Sequence, residues 1–210
     1  MTNCDVLLLF TRYPDPGHTK TRLIPELGAA GAARLQKLLT ERVVGQARTL
    51  NEKGGIASIV HYSGGSRDKM AAWLGPMSYE TQAEGDLGLR MQTAFASAFA
   101  GGAKRAVLIG SDIPDLTAAL LAEAFTALRS AEVVIGPSRD GGYYLIGMQA
   151  EAAHRLYPLL FNEMIWSTAE VFTKTIRRLA SAAISPTVLA TLRDIDTPED
   201  LDFARAKGLL

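Results

Sequence analysis

Apolar residues fall along this chain in short unbroken runs that alternate with stripes of helical spacing. Asp5 to Phe10 (DVLLLF) is apolar almost throughout, the pattern of a strand buried on both faces. A loop with Pro14, Pro16 and Gly17 follows. Leu35, Leu38, Leu39, Val43, Ala47 and Leu50 then share one helical face, which predicts a helix from about Gly28 to Glu52. Gly54-Gly55 breaks it before a second strand, Ile56 to His61. Ser66 is placed to cap a short helix through Leu74, and Asp86 to cap another, with Met91, Ala94, Phe95, Ala98 and Phe99 on its apolar face. Ala106 to Gly110 reads as a strand and Thr117 to Arg129 as a helix. Glu132 to Gly136 and Tyr143 to Met148 read as two strands around a Gly-Gly break.

Toward the end, Ser167-Thr168-Ala169-Glu170 has the spacing of a capping box and predicts a helix to about Leu179. Val188 to Leu192 reads as a last strand. Thr197-Pro198-Glu199-Asp200 opens a final helix with proline at its first position. Strands alternating with helices imply the α/β class, a mainly parallel sheet with helices on both faces. Without internal repeat, low-complexity tract or linker, residues 1–210 are expected to form a single domain.

Composition narrows the partners. The 22 basic and 22 acidic residues cancel, whereas a general nucleic-acid or anionic-membrane binder carries a basic excess. Neither nucleic acid nor membrane is expected as a partner, and no segment approaches the ~20 apolar residues of a membrane helix. Cys4 is the only cysteine, which excludes an internal disulfide and a thiolate zinc cluster. The first ten residues lack the basic start of a signal peptide. A cytoplasmic protein is the expectation.

Ligands of open parallel sheets bind at the carboxyl ends of strands, and three polar segments follow predicted strands. Arg12 to Arg22 (RYPDPGHTKTR) offers flexible backbone at Gly17 and cations at Arg12, Lys20 and Arg22 that suit a phosphate pair. It is not a P-loop, and no GxGxxG occurs. Asp112 stands two residues after AVLIG, at the expected sheet edge, where a carboxylate can hold Mg²⁺ or Mn²⁺. Asp115 is assigned to the following turn or to a helix cap. Asp194 and Asp196 are i and i+2 of an extended segment, so both can face one cation; the competing reading has Asp196 and Thr197 capping the last helix. Asp140-Gly141-Gly142 adds a candidate hydroxyl acceptor or general base beside glycines that admit a ligand close to backbone, or else a plain turn. Trp73 and Trp166 read as core or rim residues.

The segments FTRYPDPGHTKTRL, GDLGLRM, GSDIPDL, DGGYYLIGM, IWST and DIDTPEDL occur in this order and span nearly the whole chain. Together they resemble the DUF2064 family of GT-A-like proteins, often labelled nucleotide-diphospho-sugar transferases or arsenosugar-biosynthesis-type glycosyltransferases. More distantly the pattern is similar to 2-phospho-L-lactate and molybdenum-cofactor guanylyltransferases. The resemblance implies a Rossmann-like GT-A sheet and a metal-dependent transferase with a nucleotide or nucleotide sugar and a small-molecule acceptor as partners. It implies Mg²⁺ or Mn²⁺ on the positions of Asp112, Asp194 and Asp196, and Lys20 and Arg22 at phosphates.

Glycosyl transfer leads, with Lys20 assisting the departing diphosphate and Asp140 activating the acceptor. Gly110, two before Asp112, leaves a single aspartate after the central strand, in the style of nucleotidylyltransferases. Nucleotidyl transfer to a phosphorylated molecule therefore stays open, as does a noncatalytic nucleotide-binding role.

Overall fold

A computed structural model describes residues 5–210. Seven strands form one sheet: β1 (Asp5–Arg12), β2 (Ala57–Ser63), β3 (Ser78–Thr81), β4 (Arg105–Gly110), β5 (Val133–Pro137), β6 (Tyr143–Gln149) and β7 (Thr187–Val188). Their order is β3-β2-β1-β4-β6-β5-β7. β1, β2, β3 and β4 pair in parallel, whereas β6 runs antiparallel to both β4 and β5.

The helices are α1 (Ile24–Gly54), α2 (Arg67–Leu74), α3 (Leu87–Ala100), α4 (Ala118–Ala127), α5 (Ala150–Leu160), α6 (Val171–Ser181) and α7 (Leu201–Ala206), with single 3₁₀ turns at Thr21–Leu23 and Pro198–Asp200. No helix among the described residues is long and apolar enough to cross a membrane.

The apolar run of β1 explains its central place. Leu7 and Leu9 join the layer with α1, α2 and α4, while Leu8 and Phe10 join the opposite layer with α3 and α5. Each such leucine contributes roughly 1.5–3 kcal/mol by leaving water. A third cluster packs Leu23, Leu35 and Leu39 against Ile195, Leu201 and Ala204, which ties the chain's end to the start of α1.

Local chemistry sets the helix boundaries. Ser66, Asp86 and Thr117 accept from the backbone N–H groups of Lys69, Leu89 and Leu120. Thr117 is thus the cap of α4, and Asp115 instead pairs with Lys207 at 2.5 Å. The first residues of α1 are set off by a kink at Gly28 (φ 67°), a conformation that glycine adopts at little cost.

Two expectations are corrected, and two elements appear that the residue pattern does not predict. The capping box at Ser167 is absent: Ser167 is left-handed (φ 62°), Thr168 donates to the Ile165 carbonyl, and α6 begins after Glu170 without a side-chain cap. α5 and β3 were not expected, the first because Pro158 interrupts its pattern and the second because only Tyr79 of its four residues is buried. The last strand shrinks to Thr187–Val188, with a single further bridge from Leu192 to Ser138.

His61 on β2 is 3% exposed. Its ring lies against Phe10, its Nε2 has no hydrogen-bond partner, and Nδ1 is 3.8 Å from Glu80. Burial lowers its pKa below the ordinary 6.5, against an opposing pull from Glu80. As pH falls below 6.5 the unfolded chain takes up this proton before the folded one. Stability should therefore decline there by at most about 1.4 kcal/mol per pH unit for this one group. Urea midpoints between pH 7.5 and 5.5 test this; His61→Phe should show a shallower slope, and equal slopes would reject the assignment.

Candidate active site

The carboxyl ends of β1, β4 and β5 open on one edge, where the loop after β1, the end of β4 and the segment 194–196 meet. The joint is the backbone of Ile195. Its N–H donates to the Asp112 carbonyl (3.1 Å), its carbonyl accepts from Lys20 Nζ (2.5 Å), and its side chain is fully buried. Alternation along this extended piece then turns Asp194 and Asp196 away from that core.

Lys20 is the charge at the centre. Its side chain is 2% exposed; Nζ lies 2.8 Å from Asp112 Oδ1 and 3.6 Å from Asp196 Oδ1. The contact with Asp112 is an ion pair off the line of a directed hydrogen bond, so Oδ1 keeps an unsatisfied lone pair. Lys20 is left-handed (φ 49°, ψ 42°), at a cost of about 1 kcal/mol for a residue other than glycine, offset by the acceptors its ammonium reaches. Arg22 approaches Asp196 from solvent, Nη1 to Oδ2 at 2.8 Å.

Below this pair lies a buried polar cluster. Gln36 of α1 accepts from Thr19 Oγ1 (3.4 Å), and its Nε2 faces Ser111 Oγ (3.1 Å), Thr40 Oγ1 (3.1 Å) and Thr11 Oγ1 (3.4 Å). Two amide hydrogens serve three oxygens, so one bond is shared. Thr19 and Ser111 immediately precede Lys20 and Asp112, and one glutamine thereby holds both flanks of the ion pair.

Asp200 secures the other side. Its Oδ2 accepts from the N–H groups of Asp196 (3.1 Å) and Thr197 (2.9 Å), and its Oδ1 from Arg193 (2.9 Å). Burial works to raise its pKa, but these donors together hold it below the ordinary carboxylate value. Asp200→Ala should cost about 1–2 kcal/mol through the lost cap, measured as a lower urea midpoint. An unchanged midpoint would show that the cap is dispensable.

Two clefts share Asp112 and Asp196. One, of about 530 Å³, is lined by Arg12, Lys20, Arg22 and Arg90 with Gln82 and Ser63. Arg12 is fixed by donation to the His18 carbonyl (2.9 Å) and Arg90 by donation to the Gly85 carbonyl (2.9 Å). The other, of about 300 Å³, is lined by Asp140, Asp194, Tyr143 and Trp166 besides the shared pair. Gly142 N–H holds Asp140 Oδ1 (2.9 Å), and Ser138 Oγ also bonds that oxygen, which leaves Oδ2 without a hydrogen bond. Asp194 is pushed up to about 6 by burial first, then by the charges of Asp140, Asp200 and Asp112, with a backbone bond opposing.

Of the residues singled out in the sequence, the fold brings Arg12, Lys20, Arg22, Asp112, Asp196, Asp140, Gly142 and Asp194 to these clefts. Gly17 is exposed and lines neither. Gly141 also lines neither; the close approach it permits is to the chain itself, since a Cβ there would stand 2.2 Å from the Ala169 carbonyl oxygen. Among the described residues no group of three or more His, Cys, Asp or Glu side chains is spaced to hold a metal ion. Asp112 and Asp196 share the Lys20 ammonium, and Asp194 faces the second cleft. Their carboxylate oxygens are the donor type a hard cation prefers, and in this structure the Lys20 ammonium stands between Asp112 and Asp196 as the cation.

Sequence reasoning missed Gln36, Gln82 and Arg90. Arg90 had a signal, its place in GDLGLRM. That motif's Gly88 is required by packing, since a Cβ there would stand 2.8 Å from Trp166 of IWST.

A parallel sheet with one reversed strand, and a cation-lined cleft at its carboxyl edge, define the GT-A-like α/β class. The profile of the DUF2064 family, described as uncharacterized proteins conserved in bacteria, matches residues 46–168. The chain belongs to this family. It is 33% identical to a candidate nucleotide-diphospho-sugar transferase of known structure from Desulfovibrio desulfuricans G20, over 93% of this chain and 83% of that one, with a TM-score of 0.82.

Two further likenesses concern the fold alone. The 4-diphosphocytidyl-2C-methyl-D-erythritol synthase of Anaerococcus prevotii DSM 20548 is 14% identical over 98% of this chain and 96% of that one (TM-score 0.64). The Rv0371c protein of Mycobacterium tuberculosis H37Rv, in complex with manganese, is 16% identical over 95% and 96% (TM-score 0.54). No curated protein matches the sequence.

Proposed function

We propose that the protein is a transferase that binds a nucleotide sugar in the cation-lined cleft and passes the sugar to a small acceptor in the adjoining cleft. The observation that carries this reading is the pairing of clefts across Asp112 and Asp196, one rich in cations and one in carboxylates. Arg12, Arg22 and Arg90 suit a diphosphate, with arginine forks contacting its oxygens. The acceptor oxygen bonds the anomeric carbon as the bond from that carbon to the diphosphate breaks. The acceptor proton passes to Asp140 Oδ2, and nucleoside diphosphate leaves. Positive charge at Lys20 and Arg22 offsets the charge growing on the leaving group.

Asp112 and Asp196, with Asp194 beside them, are the residues to hold Mg²⁺ or Mn²⁺. Bound there, the cation would neutralise diphosphate charge.

Likeness to the Desulfovibrio protein supports nucleotide-sugar chemistry. A second reading, nucleotidyl transfer from a nucleoside triphosphate, is favoured by the lone Asp112 after β4 and by the cytidylyltransferase-like fold. Release of nucleoside diphosphate from a panel of nucleotide sugars, against pyrophosphate from triphosphates, separates the two. Thermal-shift screening of both panels with and without Mn²⁺ tests binding. Asp112→Asn should abolish the Mn²⁺-dependent part of the shift. Absence of any nucleotide-induced shift would remove both readings.

A further inference from the structure

The two clefts differ in charge more than a shared active site requires. The nucleotide side carries Arg12, Lys20, Arg22 and Arg90. The other cleft is lined by Asp112, Asp140, Asp194 and Asp196, and no Lys, Arg or His is among its lining residues. Its wall is aromatic: Tyr143 and Trp166 meet edge to face at 6.3 Å. The Tyr143 hydroxyl and the Trp166 indole N–H are both buried without a hydrogen-bond partner, an uncommon state for donors that normally find one. Gly88 gives the indole its place, because any side chain there would strike it.

From these observations we infer that the second cleft takes an uncharged polyhydroxylated molecule, a sugar or polyol, and excludes phosphorylated acceptors. Carboxylates accept from several hydroxyls, and an aromatic wall covers the apolar face of a sugar. A phosphate dianion meets Asp140 and Asp194 and finds no Lys, Arg or His in the lining, while Lys20, Arg22 and a metal on Asp112 and Asp196 serve the donor diphosphate. This inference rests on the transferase reading and names its acceptor class.

The test uses the full chain with Mn²⁺ and matched pairs: glycerol and glycerol 3-phosphate, ribose and ribose 5-phosphate, glucose and glucose 6-phosphate. Nucleoside diphosphate is titrated first, without sugar. If it fails to bind, or binds equally to Lys20→Met, the transferase reading falls. The pairs are then followed by saturation-transfer NMR, with nucleoside diphosphate occupying the cationic cleft, or in nucleotide-free protein if none binds.

The uncharged member of at least one pair should bind about tenfold tighter than its phosphate. Trp166→Ala, which removes much of the aromatic wall, should weaken that binding about fivefold or more while nucleoside diphosphate affinity stays the same. Tighter binding of the phosphates, no binding of any pair member, or sugar binding indifferent to Trp166→Ala overturns the inference.

Discussion

Lys20→Met should lose nucleotide binding and lower stability by about 2 kcal/mol. The ammonium is buried at 2% exposure, whereas its partners Asp112 and Asp196 keep 40% and 39%. Removing one member of a fully buried pair costs roughly 3–5 kcal/mol, and exposed pairs are worth less than about 1. An ion pair half open to water falls between. Methionine fills the space of the aliphatic stem, so lost packing adds little. The diagnostic part is the response to metal. With the ammonium gone, Asp112 loses its ion-pair partner and Asp196 keeps only Arg22, and Mn²⁺ should raise the urea midpoint of the variant more than that of the parent. A variant as stable as the parent, with the same Mn²⁺ response, would falsify the view that Lys20 supplies the charge between them.

Gly141→Ala should cost about 3 kcal/mol. Gly141 is at φ 90°, and its Cβ would fall 2.2 Å from the Ala169 carbonyl oxygen and 2.5 Å from its Cα. Those neighbours are backbone, tied by the bond from Phe172 N–H to the Gly141 carbonyl (2.9 Å), and cannot swing aside as a side chain tip would. Gly102 provides the control, with φ 91° and nothing within 4 Å of its Cβ. Gly102→Ala carries backbone strain alone, about 1 kcal/mol. The difference between the variants isolates the collision. On the usual scaling the Tm should fall by about 6–12 °C for Gly141→Ala and about 2–4 °C for Gly102→Ala. Equal losses would mean that the turn at 140–142 moves freely away from α6.

Much of this architecture can be read from residue patterns because the determinants are local. DVLLLF buries both faces in any sheet, and Ser66, Asp86 and Thr117 cap the helices that follow them through their own side chains. Ser167 shows the limit: its spacing to Glu170 suits a cap, but its left-handed backbone takes the side chain elsewhere. The reversed β6 could not be read, since its insertion between β4 and β5 is decided by pairing across the sheet.

At the candidate site, the alternation of Asp194, Ile195 and Asp196 follows from the extended chain. That Lys20 reaches two carboxylates far away in sequence depends on how Ile195 docks. Gln36 offers no sequence signal, because a glutamine inside an amphipathic helix looks solvated until the fold buries it at 4% exposure.

The reversal of β6 has a consequence for how such chains diversify. The tight connection from Pro137 to Tyr143 turns back at the same sheet edge that receives the ends of β1 and β4. Residues 138–143, with the 161–170 loop above them, build one compartment, while the other is assembled largely from positions before 112. On the transferase reading proposed above, acceptor preference then lies in one hairpin and one loop, apart from donor recognition. A chimera carrying both segments from a relative should inherit that relative's acceptor and keep its own nucleotide.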